Sequence, residues 1–418
     1  MNTRRVMLLI PHESYRAPDF MAVAARLDVE VVIGSDERNP LQEALPGRFV
    51  ALNFADPDAG ADQIEAFAER FPLDTIVAVD DGGTRLAARA ARRLELPHNS
   101  VAAVDATRNK ALLRERLLAA GVASPWFRVI ATGGDPRDIA RTIAFPAVIK
   151  PLSLSASRGV VRVDDAEQFI KAFERVKRIV ADPGAAIECG EFADRLLVEG
   201  YVPGAEVSLE GLLTSGKLSV LALFDKPDPL EGPYFEETIY VTPSRLSDDA
   251  QARIAETAAR AVAALGLSDG PVHVELRIDD DGVFPIDIAA RSIGGLCSRT
   301  LSFGTGMSLE ELILRHAIGA PVPSYEREAG AAGVMMIPIP RAGTLVAVHR
   351  VEDAEAVPLV DSVTITKHPG SRLVPLPEGG AYLGFIFASG EAPADVEAAL
   401  RAAHAALRFE IGLEDDGG

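Results

Sequence analysis

The sequence lacks the features that would place it among secreted or membrane proteins. Only two cysteines, Cys189 and Cys297, occur in 418 residues, which excludes the disulfide framework of a small secreted domain. No apolar run approaches the roughly 20 residues of a membrane-spanning helix. The short apolar run near the N-terminus ends at Pro11, too early for a secretory signal peptide. These absences predict a soluble, cytoplasmic protein with no membrane partner.

Basic residues are also in short supply. The chain has 42 lysines and arginines against 61 aspartates and glutamates, and its formal net charge is −19. Binding to a nucleic-acid backbone depends on neutralising phosphates with Lys and Arg. The composition therefore argues against a nucleic-acid partner, but it leaves room for one local cationic pocket. With 48% hydrophobic residues, the chain can build packed cores for nearly three domains of about 150 residues each.

Residues 1–100 alternate between apolar, strand-like runs and amphipathic, helix-like segments. This alternation is typical of a parallel sheet with helical crossovers. The G-x-G-x-x-G fingerprint of a dinucleotide site is missing after the first strand, where the sequence reads PHESYRAPD. We therefore predict a Rossmann-like N-terminal domain that does not bind NAD.

The remaining chain predicts a multi-domain protein of mixed α/β and α+β class. A helix is expected over residues 105–120, capped by Asp105 or Thr107. Residues 126–200 have the pattern of a small α+β lobe, and the tail is strand-rich and closes with a helix. We place the domains at 1–105, 106–325 and 326–418.

Two lysines and a polar loop form the first candidate site. Lys150 ends a buried-looking strand, where an amine needs a partner. The loop that follows, residues 151–160 (PLSLSASRGV), can bring backbone N–H groups close to phosphates. Lys110 lies in the first turn of a helix, a position that the helix dipole does not explain. Solvated lysines and a plain surface loop are the alternative, but together these features indicate an anionic ligand.

The second candidate site surrounds a turn at residues 203–204. Glu199 and Glu206 flank the turn, with Tyr201 and Val202 between them. A strand edge here could offer backbone groups to a flat heterocycle, and Glu206 could accept hydrogen bonds from sugar hydroxyls. An ordinary hairpin with solvated glutamates is the alternative, and the local pattern taken alone favours it.

Residues 272–290 have the alternation of a β-hairpin. Apolar side chains occupy even positions in both strands: Val272, Val274, Leu276 and Ile278, then Phe284, Ile286, Ile288 and Ala290. Because the two apolar sets must share a face, even positions should pair with even positions. A three-residue loop, 280–282, meets this requirement and sets residue 279 opposite residue 283.

This register places Glu275 opposite Asp287 on the other face. Like charges at that separation, about 5 Å between Cβ atoms, destabilise a sheet. A divalent cation between them would remove the conflict, and carboxylates are suitable ligands for Mg²⁺. The alternative is a solvated face on which Arg277 and Arg291 neutralise the acids.

Taken in chain order, these segments resemble the ATP-grasp superfamily. The matching segments are Lys110, VIKPLSLSASRGV, VEGYVPGAE and VELRIDDDGVFPIDIAARSIGG. AARSIGG and the terminal ADVEAALRAAHAALRFEI are similar to the L-amino acid ligase branch, which makes dipeptides and related amides. The resemblance implies an ATP-grasp fold with a Rossmann-like N-terminal domain and a strand-rich C-terminal domain.

The resemblance also implies an activity. It predicts an ATP- and Mg²⁺-dependent carboxylate–amine ligase, in which ATP phosphorylates a carboxylate and an amine attacks the acyl phosphate. The expected cofactors are ATP and one or two Mg²⁺, with Mn²⁺ as a substitute. The expected partners are a small carboxylate and a small amine, at least one of them an amino acid, and a second copy of the chain in a homodimer. Residues 126–200 would close over the nucleotide as a lid.

Site residues follow from the same resemblance. The implied nucleotide-binding residues are Lys110, Lys150, Ser155, Ser157, Gly159, Glu199, Tyr201, Val202 and Glu206. The two lysines would bind phosphates beneath the serine-rich loop. Glu199 and the backbone of Val202 would face adenine, and Glu206 the ribose. Glu275 and Asp287 would hold the metal, and Arg291 would act with Lys150 in catalysis.

The number of metal ions and the substrate pocket stay open. The second metal carboxylate is commonly Glu in the family but is Asp287 here, and Ala289 stands where Asn is common. The residues considered for substrate binding are His273, Phe235, Glu236, Glu237 and Arg299.

Two other functions fit the same segments. A biotin-carboxylase-like enzyme would phosphorylate bicarbonate, although the chain has no lysine-flanked Met motif of a biotin carrier. A regulatory protein would bind ATP without turning it over, which Ala289 makes conceivable.

Overall fold

The computed structural model describes residues 4–12 and 14–412, so the outermost residues of the predicted first and third domains lie outside the described range. The N-terminal elements are β1 (Arg5–Leu9), α1 (Ala17–Arg26), β2 (Glu30–Ser35), β3 (Phe49–Ala51), α2 (Pro57–Ala68), β4 (Thr75–Ala78), α3 (Asp81–Arg93), α4 (Val101–Thr107) and α5 (Lys110–Ala119). The four strands form a parallel sheet in the order β3-β2-β1-β4. The predicted parallel sheet is confirmed.

Both faces of this sheet are buried, as is usual for parallel strands. Val6 and Leu8 pack into one core, and Met7 and Leu9 pack into another on the opposite face. The carboxyl ends of β1 and β4 therefore meet at one edge. Asp81 begins α3 at that edge.

The predicted helix over 105–120 is wrong, because the structure contains two helices there. The side chain of Asn109 accepts hydrogen bonds from the N–H groups of Ala111 (3.0 Å) and Leu112 (3.1 Å) and so caps a new helix, α5. Lys110 becomes the first residue of α5, and its N–H donates to the carbonyl of Leu152 at 2.9 Å. The helix start thus lies against the serine-rich loop.

The next segment is the small α+β lobe. Its elements are β5 (Phe127–Ala131), α6 (Pro136–Ala140), β6 (Ala147–Pro151), β7 (Val161–Val163), α7 (Ala166–Ala181), α8 (Pro183–Cys189) and β8 (Arg195–Gly200). The strands form an antiparallel sheet in the order β5-β8-β6-β7. Phe169, Phe173 and Val176 of α7 cover it, and all three are fully buried. Lys150 and Glu199 lie on the adjacent strands β6 and β8.

An eight-stranded sheet forms the centre of the molecule. The elements of this part of the chain before residue 326 are β9 (Ala205–Thr214), β10 (Lys217–Asp225), β11 (Ile239–Thr242), α9 (Asp248–Leu265), β12 (Gly270–Ile278), β13 (Val283–Ala289), β14 (Ser302–Phe303), β15 (Met307–Ser308) and α10 (Leu309–Ala317). Beyond it follow β16 (Ala331–Ile337), β17 (Gly343–His349), α11 (Val351–Glu355), β18 (Val360–Ile365), β19 (Arg372–Leu373), β20 (Gly384–Gly390), α12 (Pro393–Ala406) and β21 (Arg408–Gly412). The sheet order is β13-β12-β9-β10-β11-β16-β20-β18. Pairing of β11 with β16 carries the sheet across residue 326.

The strand-rich tail adds a smaller sheet, β19-β17-β21. Val396 and Leu400 of α12 pack against the large sheet, in a core that includes residues of β16 and β20. Within residues 4–12 and 14–412, every helix is too short or too polar to cross a lipid bilayer.

The β12–β13 hairpin has the predicted pairing of Glu275 with Asp287, but the predicted three-residue loop is wrong. Residue 278 pairs with residue 283, and a bulge between the 275 and 276 pairs restores the register. As a result, Val283 and Ile288 are the β13 side chains in the core beneath the hairpin, whereas Phe284 and Ile286 lie outside it. Ile286 instead lines the large cavity described below.

Candidate active site

A cavity of about 980 Å³ lies between the N-terminal domain, the 126–200 lobe and the central sheet. It is lined by most of the residues that the sequence singled out: Lys110, Lys150, Ser155, Ser157, Glu199, Tyr201, Val202, Glu206, Phe235, Glu237, His273, Glu275, Asp287 and Arg291. Segments more than 180 residues apart in the chain therefore meet at one place.

Lys150 and Glu199 form a buried ion pair with an arginine that the sequence analysis missed. Glu199 Oε1 lies 2.5 Å from Lys150 Nζ, and Glu199 Oε2 accepts a hydrogen bond from Arg114 Nε at 2.8 Å. Burial alone would raise the pKa of Glu199, but Arg114 and Lys150 outweigh it and lower the pKa to about 2. The carboxylate predicted to face adenine therefore serves as the counter-ion of Lys150.

Lys110 connects the serine-rich loop to the hairpin. Its Nζ donates to the carbonyl of Leu154 at 3.1 Å and lies 3.4 Å from Asp287 Oδ2. The ammonium groups of Lys110 and Lys150 thus reach the cavity from two different elements. This arrangement suits a ligand with several negative charges.

The serine-rich loop departs from the prediction at Gly159. Ala156 and Ser157 have positive φ angles of 56° and 55°, and Gly159 has φ +71°. The N–H of Gly159 donates to the carbonyl of Pro377 at 2.9 Å, and Gly159 does not line the cavity. A Cβ on Gly159 would lie 2.8 Å from Pro151 Cγ, so glycine is needed for packing. The prediction that Gly159 binds phosphate is not supported by this geometry.

Three half-buried glutamates surround Lys226, a residue that was not singled out from the sequence. Oxygens of Glu206, Glu237 and Glu275 lie within 4.8 Å of one another. Lys226 Nζ is 2.8 Å from Glu206 Oε1 and 3.6 Å from Glu275 Oε1, and it also contacts Glu237. Burial raises the pKa of Glu237 to about 7, against the opposing effect of Lys226. The ammonium group neutralises a cluster that would otherwise repel itself.

We expect Lys226→Met to destabilise the protein in a pH-dependent way. Without Lys226, the three carboxylates have less positive charge near them, although Arg277 stays beside Glu206 and His273 beside Glu275. They then take up protons at raised pKa values, so the folded state binds more protons than the unfolded state and its stability falls as pH rises above about 5. The loss should be small at pH 5 and about 3–5 kcal/mol at pH 8, the usual cost of an unpaired buried charge. Urea unfolding at both pH values measures it.

Lys217→Met is the matched control for Lys226→Met, because Lys217 is an exposed lysine at the start of the same strand, β10. It should change stability by less than about 0.5 kcal/mol at either pH. Equal losses for Lys226→Met at pH 5 and pH 8 would show that the glutamates do not depend on Lys226.

His273 connects two glutamates on the cavity wall. Its Nδ1 is 2.5 Å from Glu210 Oε1, and its Nε2 is 3.4 Å from Glu275 Oε1. Glu210 is held in turn, because its Oε2 accepts the N–H of Ile293 at 3.0 Å. Burial would lower the pKa of His273, but the two glutamates raise it to about 9. This histidine is placed to orient Glu275.

Arg291 lies at the end of the hairpin and contacts the N-terminal domain. Its Nη2 donates to Asp81 Oδ2 at 2.7 Å. Asp81 also contacts Arg108 Nη1 at 3.1 Å. Neither Asp81 nor Arg108 was singled out from the sequence, although the DDGG segment after an apolar strand is a signal for a polar loop at a sheet edge.

Two of the residues considered for substrate binding lie outside the cavity. Arg299 forms a two-pronged ion pair with Asp19 of α1, at 2.9 and 3.1 Å, and Glu236 does not line the cavity. Phe235 does line it, with its ring 6.5 Å from that of Tyr201 in a stacked arrangement. Arg299 therefore belongs to a domain contact and not to the pocket.

Glu275 and Asp287 provide a donor set that fits a divalent cation. They are directly opposed on the two strands of the hairpin, and both line the cavity. Each lies near the ammonium group of a lysine, Glu275 near Lys226 and Asp287 near Lys110. Hard carboxylate oxygens on a rigid ribbon are the ligands that Mg²⁺ prefers.

Three family models match the chain in order. An ATP-grasp N-terminal domain matches residues 21–98, an ATP-grasp domain matches residues 143–300, and L-amino acid ligase C-terminal domain 2 matches residues 335–412. The alanine–anticapsin ligase of Bacillus subtilis is 29% identical over 269 residues, which are 60% of this chain and 56% of that protein. The match thus spans little more than half the length of that relative.

Solved structures resemble the whole chain. The L-amino acid ligase from Bacillus licheniformis superposes with a TM-score of 0.80 at 26% identity, covering 98% of this chain and 99% of that one. Carboxyaminoimidazole ribonucleotide synthase from Aspergillus clavatus, solved with ATP, gives a TM-score of 0.73 at 18% identity and covers 96% of this chain and 97% of that one. The chain therefore contains an ATP-grasp domain, preceded by an ATP-grasp N-terminal domain and followed by the C-terminal domain 2 of the L-amino acid ligases.

Proposed function

We propose that this protein is an ATP- and Mg²⁺-dependent carboxylate–amine ligase with an amino acid among its substrates. One observation carries the proposal. Lys110, Lys150 and Arg291 line the same cavity as the opposed carboxylates Glu275 and Asp287. Phosphoryl transfer needs cations around the phosphates and ligands for a metal, and this cavity has both. The match to relatives that are ligases by name supports the same reaction class.

The nucleotide would lie beneath the 126–200 lobe. The rings of Tyr201 and Phe235, with the Arg277 guanidinium 5.3 and 5.5 Å from their centroids, offer flat surfaces at one part of the cavity. Lys110 and Lys150 offer positive charge at another part. Glu206 accepts from Arg277 at 2.8 Å and from Lys226 at 2.8 Å, yet a carboxylate has further lone pairs for ribose hydroxyls. These features support adenine and phosphate binding at opposite parts of one pocket.

Glu275 and Asp287 would hold Mg²⁺, oriented by His273 and Lys110. When bound, the metal would neutralise phosphate charge and polarise the phosphoryl group. Since Ala289 supplies no ligand, one metal ion is the simplest stoichiometry.

The chemistry has two steps. An oxygen of the substrate carboxylate bonds to the γ-phosphorus while the bond to the ADP oxygen breaks, which gives an acyl phosphate. The amine nitrogen then bonds to the carbonyl carbon, phosphate leaves with its electron pair, and the amine releases a proton. Arg291 would stabilise the negative oxygen of the tetrahedral intermediate.

Water must be kept from the acyl phosphate, and the lobe is held closed by contacts to other parts of the chain. Arg175 of α7 forms a two-pronged ion pair with Glu378, at 2.6 and 2.8 Å. The N–H of Arg162 donates to the carbonyl of Pro233 at 2.9 Å. These contacts support a lid that excludes solvent.

A homodimer in the cytoplasm completes the proposal. Light scattering on the purified protein tests whether it is a dimer.

ADP release tests the function. We expect turnover only when a carboxylate and an amine are both present, across the twenty amino acids singly and in pairs, with a new amide detected by mass spectrometry. Bicarbonate with biotin forms a separate arm. Turnover in that arm alone would favour a biotin-carboxylase-like enzyme. Tight ATP binding without turnover in any arm would favour a regulatory protein.

A further inference from the structure

Asp81 binds three groups from three separate elements. Its Oδ2 accepts from Arg291 Nη2 at 2.7 Å and from the hydroxyl of Ser155 at 3.1 Å, and its Oδ1 lies 3.1 Å from Arg108 Nη1. Arg108 closes the network by donating to Ser155 Oγ at 3.0 Å and to the carbonyl of Ser153 at 3.3 Å. The hairpin end, the α4–α5 junction and the serine-rich loop thus share one carboxylate.

This network is largely shielded from solvent. The Asp81 side chain is 17% exposed, and those of Arg291 and Arg108 are 14% and 16% exposed. Two guanidinium groups face the Asp81 carboxylate, and the negative charges of Asp80 and Glu210 also act on Arg291. The arginines of this network are therefore held by paired charges before any phosphate binds.

We propose that Asp81 is a positioning residue that fixes Arg291 and the loop of residues 153–157 to the N-terminal domain, so that both meet the reacting phosphate as one unit. This inference rests on the proposed function. Asp81 belongs to the N-terminal domain, whereas Arg291 and the loop belong to the ATP-grasp region. The carboxylate therefore makes the position of Arg291 depend on the domain that closes the other side of the cavity.

The physical reason is the flexibility of arginine. A free Arg291 side chain would follow the nearest phosphate oxygen, whether or not that position suits the acyl-transfer step. An ion pair at 2.7 Å with a residue held at a helix start removes that freedom. Under the proposed function Lys110 and Lys150 bind the phosphates, so Asp81 should affect the rate of reaction more than ATP binding.

Asp81→Asn tests this separation. We expect kcat to fall by about 100-fold, the usual effect of a misplaced catalytic group, while KM for ATP changes by less than threefold. ADP formed per amide should rise, because acyl phosphate that Arg291 no longer retains is lost to water. Asp81→Glu, which keeps the charge, should recover part of kcat. Asp58→Asn is the matched control: Asp58 also pairs with two arginines, Arg89 and Arg93, but lies outside the cavity.

A double variant identifies the path of the effect. In an Arg291→Gln background, Asp81→Asn should change kcat by less than threefold, because its partner is already gone. Additive losses would contradict the proposal. So would a normal kcat and a normal ADP-to-amide ratio in Asp81→Asn.

Hydrogen–deuterium exchange gives a measurement that does not need turnover. Amides 153–157 should exchange at least tenfold faster in Asp81→Asn than in the wild type and the Asp58→Asn control. Unchanged exchange would refute the anchoring role even if no substrate pair supports turnover. Conversely, faster exchange in a protein without ligase activity would retain the anchor and reject the proposed function.

Discussion

Replacement of Glu275 by glutamine is expected to reduce amide-forming turnover by about 1,000-fold. Glutamine has nearly the same shape but no charge, so it should weaken the proposed metal ligand while leaving the strand intact. Loss of several kcal/mol of charge stabilisation corresponds to about three powers of ten in rate. The decrease should appear in kcat, and added Mg²⁺ should restore part of it. Initial rates of ADP release at several Mg²⁺ concentrations measure both effects.

Glu115→Gln is the control for Glu275→Gln, because Glu115 is exposed on α5 and forms no part of the cavity lining. It should leave the rate unchanged. If Glu275→Gln retains more than a tenth of the wild-type turnover, the assignment of the hairpin carboxylates to metal binding is wrong.

Replacement of Glu199 by glutamine is expected to destabilise the folded protein strongly. The change leaves Arg114 and Lys150 buried with no counter-ion, and their side chains are only 0% and 4% exposed. Removing one partner of a buried ion pair typically costs about 3–5 kcal/mol. Urea unfolding at pH 7, followed by circular dichroism, measures the loss.

The pH dependence of the Glu199 effect has a definite sign. The folded pKa of Glu199 is lowered to about 2, so its stabilising contribution is present above the ordinary pKa near 4.5 and is lost as pH falls toward 2. The difference between wild type and Glu199→Gln should therefore shrink between pH 5 and pH 3. A difference that stays constant over this range would contradict the role of Glu199 as a charged partner.

The features that depend on neighbouring residues could be predicted from the sequence. The parallel N-terminal sheet follows from alternating apolar segments, and the pairing of Glu275 with Asp287 follows from the period-two pattern of one hairpin. The loop length in that hairpin could not be predicted, because a bulge compensated for the extra loop residue. A loop longer by one residue shifts the pairing by one position, and the bulge shifts it back. The apolar pattern is therefore the same for a three-residue loop without a bulge and for a four-residue loop with one.

The missed site residues share one property. Arg114 pairs with Glu199 85 positions along the chain, and Asp81 pairs with Arg291 210 positions along. Lys226 directly follows β10, and nothing in the residues around it indicates that it contacts three glutamates. Each is a charged residue whose partner lies on another element, so spacing within a segment carries no information about it.

The sequence by itself determined the helix or strand character of most segments, their order and many of the polar residues that face the cavity, because helix and strand periods and glycine or proline turns act over a few residues. Only the tertiary structure decided which charges meet, that Gly159 packs against Pro151 and that Arg299 binds Asp19. Ion pairs are selected when burial removes water from charged groups, and burial is a property of the assembled domains.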